Sequence, residues 1–166
     1  MHAREFWPLP WSFPQSPHAL RRPRRISVVP PSAEHPPRSD DDRVLKVLVV
    51  EDSELARRQL AGAVAELGYS AVTACSADEA LLLFDDSIAL VITDVEMSGH
   101  SGIDLLRAVR TSRPGLPFIC MSSSMWSLGE ASRAGADAVL AKPFDFDDLR
   151  VTLGLLLVAS GASPRH

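Results

Sequence analysis

Four short apolar runs in this chain each stop abruptly at a polar residue. Val47-Leu48-Val49-Val50 meets Glu51-Asp52, Leu90-Val91-Ile92-Thr93 meets Asp94, Phe118-Ile119-Cys120-Met121 meets Ser122, and Ala138-Val139-Leu140-Ala141 meets Lys142-Pro143. Apolar runs of this length, separated by stretches of helical periodicity, predict strands of a parallel sheet that is buried on both faces. The pattern predicts strands over 45–50, 70–74, 88–93, 117–121 and 138–141. Helices are predicted over 54–67, from 77 to about 84, and over 102–111, 125–134 and 147–158. Ser53 stands as the N-cap of the first helix, and Leu60, Ala63, Val64 and Leu67 recur on one of its faces, with Gly68 past its end. Ser76-Ala77-Asp78-Glu79 reads as a capping box for the second helix. Asp147 and Asp148 sit where the last helix presents its positive end.

Strict alternation of strand and helix implies an α/β fold with right-handed crossovers and helices on both faces of the sheet. The expected architecture is a flavodoxin-like, doubly wound, five-stranded parallel sheet in the order 2-1-3-4-5 with five helices. In such a sheet ligands bind outside the carboxyl ends of the strands, so the polar residues that end the four runs should converge on one edge. No glycine-rich dinucleotide fingerprint or P-loop follows any strand, which argues against a nucleotide cofactor.

The regular pattern begins only at Val44. Residues 1–43 hold nine of the thirteen prolines and the run Arg21-Arg22-Pro23-Arg24-Arg25, with no helical or strand period, and are expected to be a disordered extension. Residues 44–160 are expected to form the globular domain, and 161–166 a disordered tail. Residues 1–43 carry seven Arg against five acids (+2), and the rest carries ten basic residues against sixteen acids (−6). An acidic globular part is not expected to bind DNA directly. Five prolines between Pro14 and Pro31 rule out a basic amphipathic helix for a membrane surface. Leu153 to Ala159 is too short to span a bilayer and no secretory signal is present, so the expected location is the cytoplasm. Cys120 lies inside a strand and reads as a small core residue, and no zinc-ligand spacing exists.

Three carboxylates, Glu51, Asp52 and Asp94, are expected at the ends of adjacent strands, where their mutual repulsion calls for a counter-ion. Oxygen ligands alone favour Mg²⁺, which retains water and accepts phosphate oxygens. Lys142 and Ser122 then suit an anion, as a point charge and a hydrogen-bond donor. The chemistry that fits is phosphoryl transfer to a carboxylate, with Asp94 as the central nucleophile. Each of these residues alone has a bland explanation as a cap or a solvated loop residue. Their joint placement at matching strand ends is what argues for a site.

From Val44 to Val158 the chain resembles a response-regulator receiver domain of two-component signalling, with the fold of the chemotaxis regulators. The resemblance rests on Val47 through Ser53, Leu90 through Gly102, Met121-Ser122-Ser123, Gly135-Ala136-Asp137 and Ala141-Lys142-Pro143-Phe144. It implies that Asp94 accepts a phosphoryl group from a phosphohistidine of a sensor histidine kinase or a histidine phosphotransfer protein. It also implies that Asp52 binds Mg²⁺ directly, that Glu51 assists, and that the backbone carbonyl of Glu96 completes the metal site. Ser122 would supply the hydroxyl that moves toward the phosphoryl group, Lys142 would pair with that group, and the Lys142–Pro143 bond would be cis. Phosphorylation would then switch binding of a downstream protein, and homodimerisation is left open.

Four departures from the family pattern stand out. Ser98 replaces the usual proline, which should loosen its turn. Val139 replaces the usual aromatic switch residue. The Ser122–Lys142 segment is somewhat short, so the fourth helix or its preceding loop should be trimmed or irregular. Glu96 adds an acid beside Asp94. Because the sequence shows no effector after the last helix, the expectation is a single-domain regulator that does not act as an enzyme beyond its own phosphorylation and dephosphorylation. The alternative is a phosphorylation-independent interaction module that keeps the fold. A haloacid-dehalogenase-like phosphatase fits less well, because Glu96 stands where a second Asp would be needed.

Overall fold

The computed structural model describes residues 44–161. The expectations for residues 1–43 and for the tail beyond Gly161 lie outside that range. Along the chain run β1 (Lys46–Val50), α1 (Glu54–Glu66), β2 (Ser70–Ala74), α2 (Ala77–Leu83), β3 (Ile88–Asp94), α3 (Gly102–Ser112), β4 (Phe118–Ser122), α4 (Met125–Arg133), β5 (Ala138–Ala141) and α5 (Phe146–Ala159). The strands are all parallel and lie in the order β2-β1-β3-β4-β5, the expected doubly wound topology.

Alternate strand residues serve opposite layers because side chains project to the two faces with period two. Leu48, Val50, Val91, Phe118 and Cys120 pack with Ile103, Leu106 and Val109 of α3 and Ala77 and Ala80 of α2. Val47, Val49, Leu90, Ile92, Ile119 and Met121 pack with Leu60 and Val64 of α1 and Leu149, Leu153 and Leu157 of α5. Cys120 is fully buried, and burial pushes its thiol up to about 12, so it is an inert core residue as expected.

Helix ends are set by short polar side chains. Ser53, Ser76, Ser101, Ser124 and Asp145 each accept a backbone N–H from the first turn of the helix that follows. The capping box expected at Ser76 is only half formed. Ser76 accepts from Glu79 N, but the Glu79 carboxylate turns to the Cys75 N–H instead, at 2.6 Å. Complete reciprocal boxes occur at Ser101/Asp104 and Asp145/Asp148. The second of these starts α5 at Phe146, one residue before the predicted start. α4 is short but regular, capped by Ser124 and ended at Gly135 in the left-handed conformation (φ 99°).

The β4–β5 side of the sheet is braced by Arg110. Its guanidinium donates to the Leu116 and Gly135 carbonyls and pairs with Asp137 at 2.6 Å. Asp137 in turn accepts the Phe118 N–H at 2.8 Å. Buried donors and acceptors along this edge are thereby satisfied.

Candidate functional site

β3 is central in the sheet and longer than its neighbours. It carries Asp94 to the sheet edge between the ends of β1 and β4. Asp94 is only 6% exposed, and Glu51, immediately after β1, is 3% exposed. Two buried carboxylates this close need a counter-charge. Sequence reasoning assigned that task to a divalent cation. In the structure, Lys142 supplies part of it: its ammonium lies 2.8 Å from Glu51 Oε2 and 2.5 Å from Asp94 Oδ2. The Lys142–Pro143 bond is cis, as the resemblance implied.

The protonation balance follows from this geometry. Burial raises the Asp94 carboxyl above its ordinary value, the hydrogen bond and charge of Lys142 pull it down, and the nearby Glu51 raises it, with a net upward shift. Burial works against the Lys142 ammonium, but the hydrogen bonds and charges of Asp94 and Glu51 outweigh it and hold its pKa above the ordinary lysine value. Stability from the Lys142 contacts is therefore present below the unfolded lysine pKa and is lost as pH rises through the raised folded one.

Removing that ammonium gives a direct test. Lys142→Met leaves two buried carboxylates uncompensated and is expected to cost about 2–4 kcal/mol at neutral pH, read from urea denaturation. Asp94 then loses the group that lowers its pKa. The folded variant should hold a proton that the unfolded chain gives up, so lowering pH toward about 5 should recover part of the loss. A cost that does not change over that range would contradict the account.

Asp52 is placed differently from its two neighbours. It is exposed, and its Oδ2 accepts from Ser98 N at 3.1 Å and Ser98 Oγ at 3.4 Å. Ser98 therefore does not loosen its turn as expected, because its amide and hydroxyl, neither of which proline could supply in that form, tie the β3–α3 loop to the β1–α1 loop. Among the described residues no three Asp, Glu, His or Cys side chains are gathered so as to hold a metal ion. The donor set still fits a hard divalent cation chemically: Glu51, Asp52 and Asp94 offer carboxylate oxygens only, with no imidazole or thiolate beside them.

Ser122 is fully buried at the end of β4. Its hydroxyl donates to Glu96 Oε1 at 2.8 Å and accepts the Ser124 N–H at 2.8 Å. Here the Glu96 side chain engages the hydroxyl, while its backbone N–H donates to Asp94 Oδ1 at 3.1 Å. Asp94 thus has one carboxylate oxygen on a backbone amide and the other on Lys142.

Two positioning groups went unremarked in the sequence. Arg57, in the second turn of α1, donates to the Glu51 carbonyl at 2.7 Å and the Asp52 carbonyl at 3.3 Å, fixing the loop that carries both acids. Only its spacing from Glu51, one helical turn beyond the N-cap, could have hinted at this. Gly102, the first residue of α3, lies against Asp94: a Cβ there would fall 2.1 Å from the Asp94 carbonyl oxygen. Its place just after an N-cap serine was readable, but the reason for glycine was not.

The family model of the response regulator receiver domain matches residues 47–153. The two-component response regulator PhoP of Pseudomonas aeruginosa is 34% identical over 116 residues, covering 68% of this chain and 52% of that protein. The sensor histidine kinase RcsC of Escherichia coli is 34% identical over 122 residues, covering 70% of this chain but 12% of the kinase. A response regulator receiver domain protein from Clostridium thermocellum superposes with a TM-score of 0.68 at 27% identity, over 71% of this chain and 98% of that one. The chain spans about half the length or less of the first curated relatives it matches. With the strand order and the family match in agreement, this chain belongs to the response regulator receiver domain family of two-component systems.

Proposed function

We propose that residues 44–160 form a receiver module that accepts a phosphoryl group on Asp94 from a phosphohistidine of a sensor histidine kinase or phosphotransfer protein. In the phosphorylated state it would change its binding to a downstream protein. Receiver domains are signalling modules rather than conventional enzymes, and they exchange phosphoryl groups with such kinases and phosphotransfer proteins. The observation that carries the reading is the Lys142 ammonium on the buried Asp94 carboxylate, 2.5 Å away at the ligand-binding edge of the sheet.

Burial strips water from the Asp94 carboxylate and makes it a stronger nucleophile, while Lys142 keeps it ionised. An Asp94 oxygen attacks phosphorus, the P–N bond to the donor imidazole breaks, and the imidazole leaves with that electron pair. Lys142 and the Glu96 amide, both hydrogen-bonded to Asp94, would neutralise charge on the transferring oxygens, and Ser122 would add a donor once released from Glu96. Asp52, with Glu51 and the Glu96 carbonyl, would hold Mg²⁺, which supplies electrostatic stabilisation of the phosphoryl oxygens. No helix among the described residues is long and apolar enough to cross a membrane.

The test is incubation of the full chain with acetyl phosphate and Mg²⁺, followed by mass spectrometry for a phosphoryl adduct mapped to the peptide bearing Asp94. An adduct that needs Mg²⁺ and maps to that peptide is expected. Absence of any adduct, with partner binding intact, would instead favour the phosphorylation-independent module, a reading supported by Val139 at the place of the usual aromatic switch.

A further inference from the structure

The β3–α3 loop, residues 95–101, is held from both sides. Val95 N donates to the Met121 carbonyl at 2.8 Å, Gly102 N donates to the Val95 carbonyl at 3.1 Å, and Glu96 accepts the Ser122 hydroxyl. On that anchored loop Ser98 turns both of its donors toward one atom, Asp52 Oδ2, across 46 residues of sequence. Glu51 and Asp94 meanwhile share the Lys142 ammonium. Each carboxylate of the edge thus has an internal hydrogen-bond partner, although one ammonium stands among three carboxylates and leaves the edge acidic.

We propose that Ser98 restrains Asp52 and so sets the affinity of this site for a divalent cation. The inference rests on the reading of Asp52 as the principal metal ligand. A cation that binds through Oδ2 must displace the Ser98 donors. One that binds through Oδ1 must accept the carboxylate orientation the loop imposes, and in either case the restraint opposes binding. The amide is the closer donor, so it carries most of the effect. Because the loop is anchored independently at Val95, Glu96 and Gly102, loss of the Ser98 donors frees Asp52 without freeing the loop.

Proline has no N–H, and it is the residue that the receiver pattern carries at this place. Relief of one hydrogen bond to an exposed carboxylate corresponds to roughly five- to tenfold in affinity. The probe is Mg²⁺ alone, titrated calorimetrically into the full chain and into Ser98→Pro, Ser98→Ala and Asp52→Asn. Ser98→Pro should bind roughly five- to tenfold more tightly, and Ser98→Ala, which keeps the amide, should stay within about twofold of the parent. Asp52→Asn should lose most of its binding.

A second measurement does not depend on the proline variant folding. The amide resonance of Ser98 in the metal-free chain should move upfield in Asp52→Asn, and in the parent it should shift with the same midpoint as Mg²⁺ binding. Unchanged or weaker binding by Ser98→Pro, or an amide resonance indifferent to Asp52→Asn, overturns the inference. Equal Mg²⁺ binding by the parent and Asp52→Asn would overturn the metal reading itself. That result is distinguishable from an unchanged Ser98→Pro beside a non-binding Asp52→Asn, which removes the Ser98 inference alone.

Discussion

Asp94→Asn is expected to abolish phosphoryl acceptance while leaving the fold intact. The amide of asparagine is not a nucleophile of comparable strength, so adduct formation from acetyl phosphate should fall on the order of 10³-fold or more, to background. Stability should move little, within about 1 kcal/mol. The substitution keeps the shape of the side chain and leaves the Lys142 ammonium on Glu51 at 2.8 Å. It also removes a carboxylate whose ionisation burial and Glu51 both disfavour. A thermal melt and a mass-spectrometric phosphorylation assay on one preparation separate the two effects. Retained phosphorylation would relocate the acceptor. A collapsed melt would mean that the charge of Asp94 is structural.

Gly102→Ala is expected to do the reverse and strike at the fold itself. In an exposed helix interior, alanine in place of glycine stabilises by up to about 1 kcal/mol. Here the added Cβ would sit 2.1 Å from the Asp94 carbonyl oxygen, 2.9 Å from Thr93 Cγ2 and 3.0 Å from the Asp94 carbonyl carbon. Two of these neighbours are backbone atoms of a central strand. Thr93 is itself pinned, because its hydroxyl donates to the Asp94 carbonyl at 2.9 Å. Relief requires moving the start of α3 or the end of β3. A loss of about 3 kcal/mol or more follows, with a Tm drop of roughly 10 °C or more. Gly62→Ala in α1 is the control: nothing lies within 4 Å of a Cβ there, so that variant should gain stability. If both variants gained, close packing of α3 on Asp94 would be wrong.

The two substitutions divide the site as its construction does. Asp94 supplies chemistry on a strand end, and Gly102 lets the next helix approach closely enough to bury it. The Lys142 and Ser98 variants probe how its charge is balanced in between.

Much of this was readable along the chain. Runs such as Val47–Val50 and Leu90–Thr93 are apolar on both strand faces, which only a sheet covered by helices on each side can bury. Serines before helical stretches mark N-caps because their hydroxyls satisfy otherwise unpaired amides. From these local rules follow the strands, the helices to within a few residues, and the sheet edge that carries Glu51, Asp52, Asp94, Ser122 and Lys142. What tertiary structure alone decided is how those groups partner one another. Local sequence indicated that the clustered carboxylates need compensation but not that Lys142, 91 residues from Glu51, supplies part of it. It placed Ser98 in a turn without showing that its amide faces Asp52. It placed Glu96 beside Asp94 without showing that its carboxylate holds Ser122. Strand and helix identity arise from periodicity over neighbouring residues. Ionic and hydrogen-bond partners depend on ångström-scale distances between segments that meet only when the sheet assembles.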